Sequence, residues 1–288
     1  MRPQSLAVIG LGAIGGSLAW QARVAGVPSV VGYAKDPADG FQALQAGALH
    51  NLAEHPARAV READLVVLAT PPQATMDLLE TLGPALRPDA LITDVASIKG
   101  PIVARAAVAG LGRRFAGSHP FVGTHLGGWA GARPDRFQGA VVYVSSTGAA
   151  GDVAAREIMD CWRSVFGAQP VLIDAAAHDA QLAWTSHLPQ VVATALARAV
   201  LETPDRRGAS LGTGFRDTTR LAASPAEMWV EILILNAGPV REALARQQGE
   251  LAELGQLLAR GDAAALRRWL QHGAELRRGL DDPGATSG

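Results

Sequence analysis

Gly10-Leu11-Gly12-Ala13-Ile14-Gly15 follows a short apolar run, Leu6–Ile9, and opens a helical pattern. In that setting Gly10 permits a tight turn and Gly12 lets the backbone approach a pyrophosphate with no Cβ in the way. Gly15 lets the helix pack close to the strand. The free N–H groups of Ala13 and Ile14 at the helix start then face the anion. The chemistry is dinucleotide binding, and the strand–turn–helix context within the first 33 residues makes a Gly-rich hexamer specific. Four further segments hold polar groups for which a purely structural reading has little use. Asp94-Val95-Ala96-Ser97-Ile98-Lys99 and Gly117-Ser118-His119-Pro120-Phe121-Val122-Gly123-Thr124 each lie at the end of a β-type run. In the second half, Thr185-Ser186-His187-Leu188-Pro189 pairs with Gly214-Phe215-Arg216-Asp217-Thr218-Thr219-Arg220-Leu221-Ala222. Each also has a plain reading: His119 can satisfy backbone at a turn, His187 can be a core histidine, Arg220 can pair with Asp217, and Lys99 can be a solvated charge.

The choice of dinucleotide depends on the end of the second strand, where an acid would bond the ribose 2′-hydroxyl and select NAD. Gly32-Tyr33-Ala34-Lys35-Asp36 puts Ala34 at that position with Lys35 beside it. Lys35 leaves room for a 2′-phosphate, while Asp36 can turn back to the ribose, so the expectation leans to NADP or to dual use of NAD and NADP. Ala69-Thr70-Pro71-Pro72 follows another strand and is expected to flank the cofactor, because ligands of open α/β sheets sit at the carboxyl ends of the strands. The two prolines also serve to end that strand.

The elements that must position these groups change character along the chain. Leu6–Ile9, Val30–Tyr33, Leu65–Ala69, Leu91–Val95, Phe115–Ser118 and Ala140–Ser145 are short and rich in Val, Ile and Leu, and helical patterns separate the early ones. Continuous apolar strands alternating with helices predict a parallel sheet covered on both faces, and right-handed crossovers make it doubly wound. After about Pro170 long Ala/Leu/Arg-rich helical segments take over. Asp174 is the expected cap of a helix to about Glu202, Ser224-Pro225-Ala226-Glu227 reads as a capping box, and Asp262 caps a last helix to about Arg278. Pro189 predicts a kink that frees the carbonyl near Thr185. The fold class is therefore α/β, a doubly wound Rossmann-type parallel sheet in residues 1–172 followed by an all-helical domain in 173–280, with a frayed tail in 281–288.

Composition narrows the function. Lys and Arg total 26 against 27 Asp and Glu, and aromatics are 5%, so neither a nucleic-acid surface nor a basic membrane-binding face is indicated. The single cysteine, Cys161, excludes an intrachain disulfide and sits in an apolar stretch, where core packing is the expected role. Arg2 and the apolar run from Leu6 to Trp20 could pass for a signal segment, but that run carries the spaced glycines and a βαβ partner. A cytoplasmic protein with no metal and no transmembrane helix is expected.

The five motifs together, in order from residue 10 to residue 229, resemble the prephenate/arogenate dehydrogenases. That family carries a GxGxxGGS turn, a DxxSxK strand end, a GxHPMxG loop, an SHLPH helix and a G(F/K)xDxTRxA segment. The resemblance implies oxidation and decarboxylation of a cyclohexadienol, prephenate or arogenate, with NAD(P)⁺. It implies that His119 contacts the ring hydroxyl as proton acceptor, with Ser97 beside it, and that Arg220 grips a substrate carboxylate. It further implies that His187 faces the same cleft and that Arg216 reaches the pocket, in some members from the neighbouring subunit. Thr124 is expected to line the pocket. Many members follow that threonine with glutamate, where this chain has His125, and the added positive character raises a second reading, a 4-amino-4-deoxyprephenate dehydrogenase. A dinucleotide sensor without catalysis is a third reading. No ACT-type regulatory segment or fused chorismate mutase is expected, so feedback by tyrosine would act at the active site. A homodimer through the helical domain is expected from the family and from helices apolar on more than one face. The spatial expectation is that His119 and Arg220 converge beside the nicotinamide.

Overall fold

A computed structural model of the chain describes residues 2–123, 126–203 and 211–280. Five strands, β1 (Ser5–Ile9), β2 (Ser29–Tyr33), β3 (Asn51–Leu52), β4 (Leu65–Leu68) and β5 (Leu91–Asp94), form a parallel sheet in the order β3-β2-β1-β4-β5. The crossovers carry α1 (Ala13–Val24), α2 (Pro37–Gln45), α3 (Pro56–Val60), α4 (Pro72–Thr81), and α5 (Gly100–Val108) follows β5. Alternation along β1 explains why its residues are all apolar. Leu6 and Val8 enter a core with Leu18, Val30 and Leu65, while Ala7 and Ile9 enter a second core with Val66, Leu68 and Ile102 on the other face. The strand order reverses between β1 and β4, which opens the crevice that doubly wound sheets use for ligands.

The next two β-type runs do not extend that sheet. β6 (Ala116–Pro120), β7 (Val141–Ser146) and β8 (Gln169–Leu172) form a separate three-stranded sheet, β6 antiparallel to β7 and β7 parallel to β8. A lone parallel bridge, Ile92 to Phe115, joins the edge of the first sheet to the start of this one. Among the described residues the connection from β6 to β7 holds only a short 3₁₀ turn, so the chain returns antiparallel; α6 (Asp152–Ser164) supplies the crossover that a parallel β7–β8 pair needs. Pro170 is tolerated because β8 is an edge strand.

The segment after Asp174 is helical as expected, but not as one uniform helix. α7 (Ala175–Leu182) begins with the Asp174 carboxylate accepting from the N–H groups of Ala176 and Ala177, both at 2.9 Å. A π turn at Ala183–His187 leads into α8 (Leu188–Leu201), at the point where Pro189 removes the donor for a carbonyl one turn back. α9 (Thr213–Thr219), a 3₁₀ turn at Arg220–Ala223 and α10 (Ala226–Leu235) follow, the 3₁₀ turn packed on α8. The capping box at Ser224 does not form: Pro225 takes the cap position, and no side-chain capping bond is made. Residues 1–237 form one compact unit and 238–288 a second, which contains α11 (Ala237–Arg260) apart from its first residue, and α12 (Ala263–Gly279). Asp262 caps α12 through a bond from the Ala265 N–H at 2.9 Å. The tail at 281–288 lies outside the described residues. Among those residues no helix is long and apolar enough to cross a membrane, and no cluster with metal-ligand character occurs.

Candidate active site

The glycine turn sits at the end of β1, beside the end of β4. Gly10 has φ +96°, and a Cβ there would lie 2.4 Å from the carbonyl oxygen of Ala69. A Cβ on Gly15 would lie 1.9 Å from the carbonyl oxygen of Gly10, so the helix can approach the turn only without one. Gly12 is different, because a Cβ built on it meets nothing within 4 Å. It caps α1 with no side-chain bond, and the first turn of α1 carries no acid. An open approach to free N–H groups at a helix start suits a pyrophosphate. The Thr70–Pro71 loop lies against this turn, with Thr70 Oγ1 2.8 Å from Thr75 Oγ1 and Pro71 at the N-cap of α4. At the end of β2, Ala34 is half-buried and Lys35 exposed, while Asp36 is occupied as the cap of α2, accepting from the Ala38 N–H at 2.9 Å.

The second group of residues is built around β6, a strand with every residue buried despite the sequence Ala-Gly-Ser-His-Pro. Its polar atoms are satisfied from three directions. Ser118 Oγ shares a bond with Thr93 Oγ1 at 2.8 Å and accepts from the Trp162 indole N–H at 3.0 Å. Lys99 Nζ donates to the Ser118 carbonyl at 2.7 Å and to Asp94 Oδ2. Lys99 and Asp94 are both fully buried, which corrects the reading of Lys99 as a solvated charge. Burial pushes the Asp94 carboxyl up and the Lys99 ammonium down, and each partner opposes the other's shift. Gly117 makes this possible, since a Cβ there would sit 3.0 Å from Asp94 Oδ1 and 3.1 Å from Lys99 Cδ. Ser97 is half-buried in the loop between these two residues, where Asp94 Oδ2 accepts from the Ala96 N–H at 2.9 Å.

His119 is the next residue on that strand and its ring meets the helical segment. His119 Nδ1 lies 2.9 Å from His178 Nε2, and His178 Nδ1 lies 2.8 Å from Asp179 Oδ1. Asp179 accepts from the Lys99 N–H at 2.8 Å and the Gly100 N–H at 2.7 Å, tying α7 to the start of α5. Asn236 Nδ2 donates to the Asp179 carbonyl at 2.8 Å and lies 3.0 Å from His187 Nδ1. His187 Nε2, Gln190 Oε1 and Trp229 Nε1 are buried without a hydrogen-bond partner among the described residues. The His187 and Trp229 rings meet edge to face at 5.9 Å.

These surroundings keep both histidines neutral near pH 7. Burial, then the proximity of His178, Lys99 and His187, lowers His119 well below its ordinary 6.5. Burial is also the main cause for His187, which falls to about 4. An unfolded chain takes up protons on these residues as pH falls through 6.5 while the native chain does not. The unfolded state then binds more protons, so stability is full above that pH and declines as pH falls towards 4. Thermal melts followed by circular dichroism should show Tm dropping steadily from pH 7 to 4.5; a flat profile above pH 5 would contradict the neutral, buried assignment.

The expected site residues fall into three sets. Ser97, His119 and His187 lie on segments joined by this network, with Asp179 at its centre. Arg220 and Arg216 are exposed, on the 3₁₀ turn and on α9, and Arg220 forms no ion pair with Asp217 among the described residues. Thr124 and His125 lie outside those residues. Sequence reasoning missed His178, Asp179, Asn236, Gln190 and Trp229. The available signal was His178-Asp179, two adjacent polar residues in an Ala-rich helix. Cys161 is core, its buried thiol pushed up to about 12.

Comparison with known proteins adds to this geometry. The family model for the prephenate dehydrogenase nucleotide-binding domain matches residues 18–170, and that for the prephenate dehydrogenase dimerization domain matches residues 174–272. The chain is 32% identical over 285 residues to a cyclohexadienyl dehydrogenase of Zymomonas mobilis, covering 96% of this chain and 95% of that one. The crystal structure of A. aeolicus prephenate dehydrogenase with hydroxyphenyl propionate and NAD⁺ superposes with a TM-score of 0.89 at 27% identity, covering 97% of this chain and 98% of that one. Synechocystis arogenate dehydrogenase gives a TM-score of 0.80 at 30% identity, covering 95% and 99%.

Proposed function

Because the chain belongs to the prephenate dehydrogenase family, we propose that it oxidises and decarboxylates prephenate to 4-hydroxyphenylpyruvate, arogenate to tyrosine, or both, in tyrosine biosynthesis. The observation that carries this reading is His119, a buried imidazole held neutral at the end of β6 and joined by hydrogen bonds to the helical segment. Relatives that act on prephenate, cyclohexadienyl substrates and arogenate do not favour the amino-analogue reading.

In this reading a nicotinamide cofactor held at the glycine turn would supply the hydride acceptor, and the chain's own residues handle the proton and the carboxylates. His119 accepts the proton of the ring hydroxyl, for which a neutral base near physiological pH is required. Ser97 orients that hydroxyl. Arg220 clamps a carboxylate as a planar fork, and its exposed guanidinium, free of Asp217, is available for that role. Neutral His187 accepts from Asn236 through Nδ1, which leaves Nε2 carrying a hydrogen with no partner, a donor for a substrate oxygen. Arg216, Thr124 and His125 complete the substrate-facing set. Gly10, Gly12, Ala13, Ile14 and Gly15 hold the pyrophosphate, with Thr70 and Pro71 alongside.

The finer assignments belong to the same reading. Lys35 exposed and Asp36 spent on a helix cap support the lean to NADP or dual use at Ala34. Residues 1–172 work as the dinucleotide-binding part and 173–280 as the substrate-binding and dimerisation part, giving a cytoplasmic homodimer. Purified protein assayed with prephenate or arogenate and with NAD⁺ or NADP⁺ is expected to generate reduced-nicotinamide fluorescence in at least one of the four mixtures, and silence in all four would refute the function. Arg220→Ala is expected to raise KM about 10-fold or more with kcat changed far less, the loss of a charge-assisted bond of roughly 1.5–3 kcal/mol. Steady-state kinetics with varied substrate check this, and an unchanged KM would remove Arg220 from the site.

A further inference from the structure

We propose that His178 and Asp179 are positioning residues that hold His119 in the single tautomer able to act as a base, with Nδ1 protonated and Nε2 bare. The inference rests on the reading of His119 as proton acceptor and concerns how that role is enforced.

The Asp179 carboxylate can only accept hydrogen bonds. Asp179 is fixed by two backbone donors, the N–H groups of Lys99 and Gly100 at 2.8 and 2.7 Å. His178 Nδ1, 2.8 Å from Asp179 Oδ1, must therefore carry its hydrogen. In a neutral imidazole this leaves His178 Nε2 as a lone pair. That atom lies 2.9 Å from His119 Nδ1, so His119 Nδ1 must in turn be a donor. The opposite tautomer would set two lone pairs against each other at that distance in a buried site. His119 Nε2 is thereby left bare, the one ring nitrogen of the two histidines with no hydrogen-bond partner among the described residues.

Two aromatic rings pack edge to face on this chain. The Tyr143 ring meets His178 edge to face at 5.6 Å, and Phe121 meets His119 at 6.0 Å. Among the described residues, the charged and titratable groups that face the pair are Tyr143, Lys99, which bonds the Ser118 carbonyl, Asp94 behind it, and His187, linked through Asn236. When the substrate O–H bond breaks and the proton forms a bond to His119 Nε2, the new positive charge sits on a ring already donating to His178, which donates to the Asp179 carboxylate. No second proton needs to move for that charge to be stabilised.

The test uses the whole enzyme labelled with ¹⁵N-histidine, without substrate, at pH 7. Long-range ¹H–¹⁵N correlation should show His119 and His178 both protonated at Nδ1 and bare at Nε2, with His119→Asn and His178→Gln supplying the assignments. A hydrogen on His119 Nε2, or a doubly protonated His178, would overturn the proposal. Kinetically, His178→Phe removes the acceptor and should lower kcat roughly 100-fold with KM within about threefold, whereas His178→Gln, whose Oε1 can accept from His119 Nδ1, should stay within about tenfold of wild type. Equal losses in both variants would mean that His178 only fills space. Should His178→Phe fail to fold, the wild-type spectrum decides. The expected tautomers in a protein that turns over no cyclohexadienol would leave the relay standing and refute the function; turnover with the opposite tautomer would do the reverse.

Discussion

His119→Asn is expected to lower kcat by roughly 10²–10⁴-fold, the usual worth of a positioned general base, while leaving cofactor affinity unchanged. The substitution is chosen for what it keeps. An asparagine amide placed near the former Nδ1 can still donate to His178 Nε2, so the buried chain from His178 to Asp179 remains satisfied. What it lacks is an atom at the position of Nε2. The loss should therefore fall on the chemical step and not on folding, and Tm should move by no more than a few degrees. Initial rates at saturating substrate measure the first quantity and quenching of tryptophan fluorescence on cofactor addition measures the second. A kcat within tenfold of wild type would show that the hydroxyl proton leaves by another route. Loss of cofactor binding would instead place His119 against the nucleotide.

The glycine turn, the parallel strands and the helical second half were legible in the sequence because each rests on local rules. Gly10 and Gly15 are read from backbone geometry over a few residues, and the strands from continuous apolar runs. Asp174 and Asp262 were legible as caps for the same reason, a side chain bonding N–H groups two or three residues away. What was not legible depends on partners far apart in the chain. That the Phe115 and Ala140 runs form their own antiparallel pair fits a connection with no crossover helix among its described residues, which apolar periodicity does not report.

The candidate site divides in the same way. His119 and Ser97 stand at strand ends, where position alone marks them. His178 and Asp179 look like ordinary polar residues on a helix, and only the contact of α7 with β6 and the start of α5 turns them into a relay. Lys99 was ambiguous for a related reason. A lysine after a strand is usually solvated, and nothing local announces that Gly117, eighteen residues later, leaves the space in which it is buried.

That burial makes Lys99→Met the substitution with the largest expected effect on stability. The Lys99 ammonium bonds Asp94 and the Ser118 carbonyl, and both lie in a site with no exposure to solvent. Removing one partner of a buried pair leaves the other uncompensated, which costs about 3–5 kcal/mol. Methionine fills most of the volume, so a cavity contributes little, and the loss measures the stranded carboxyl and carbonyl. Urea denaturation should show the midpoint falling with an unchanged slope. Adding Asp94→Asn to Lys99→Met removes the stranded charge while keeping an oxygen for the Ala96 N–H, and should recover at least ~1 kcal/mol through coupling between the two sites. The same tie fixes the carbonyl next to His119, so kcat of Lys99→Met should fall even at temperatures where the variant is fully folded. A single variant that loses less than about 1 kcal/mol, or a double variant that is additive, would mean that the pair carries no net interaction and that β6 is positioned by Ser118, Thr93 and Trp162 alone.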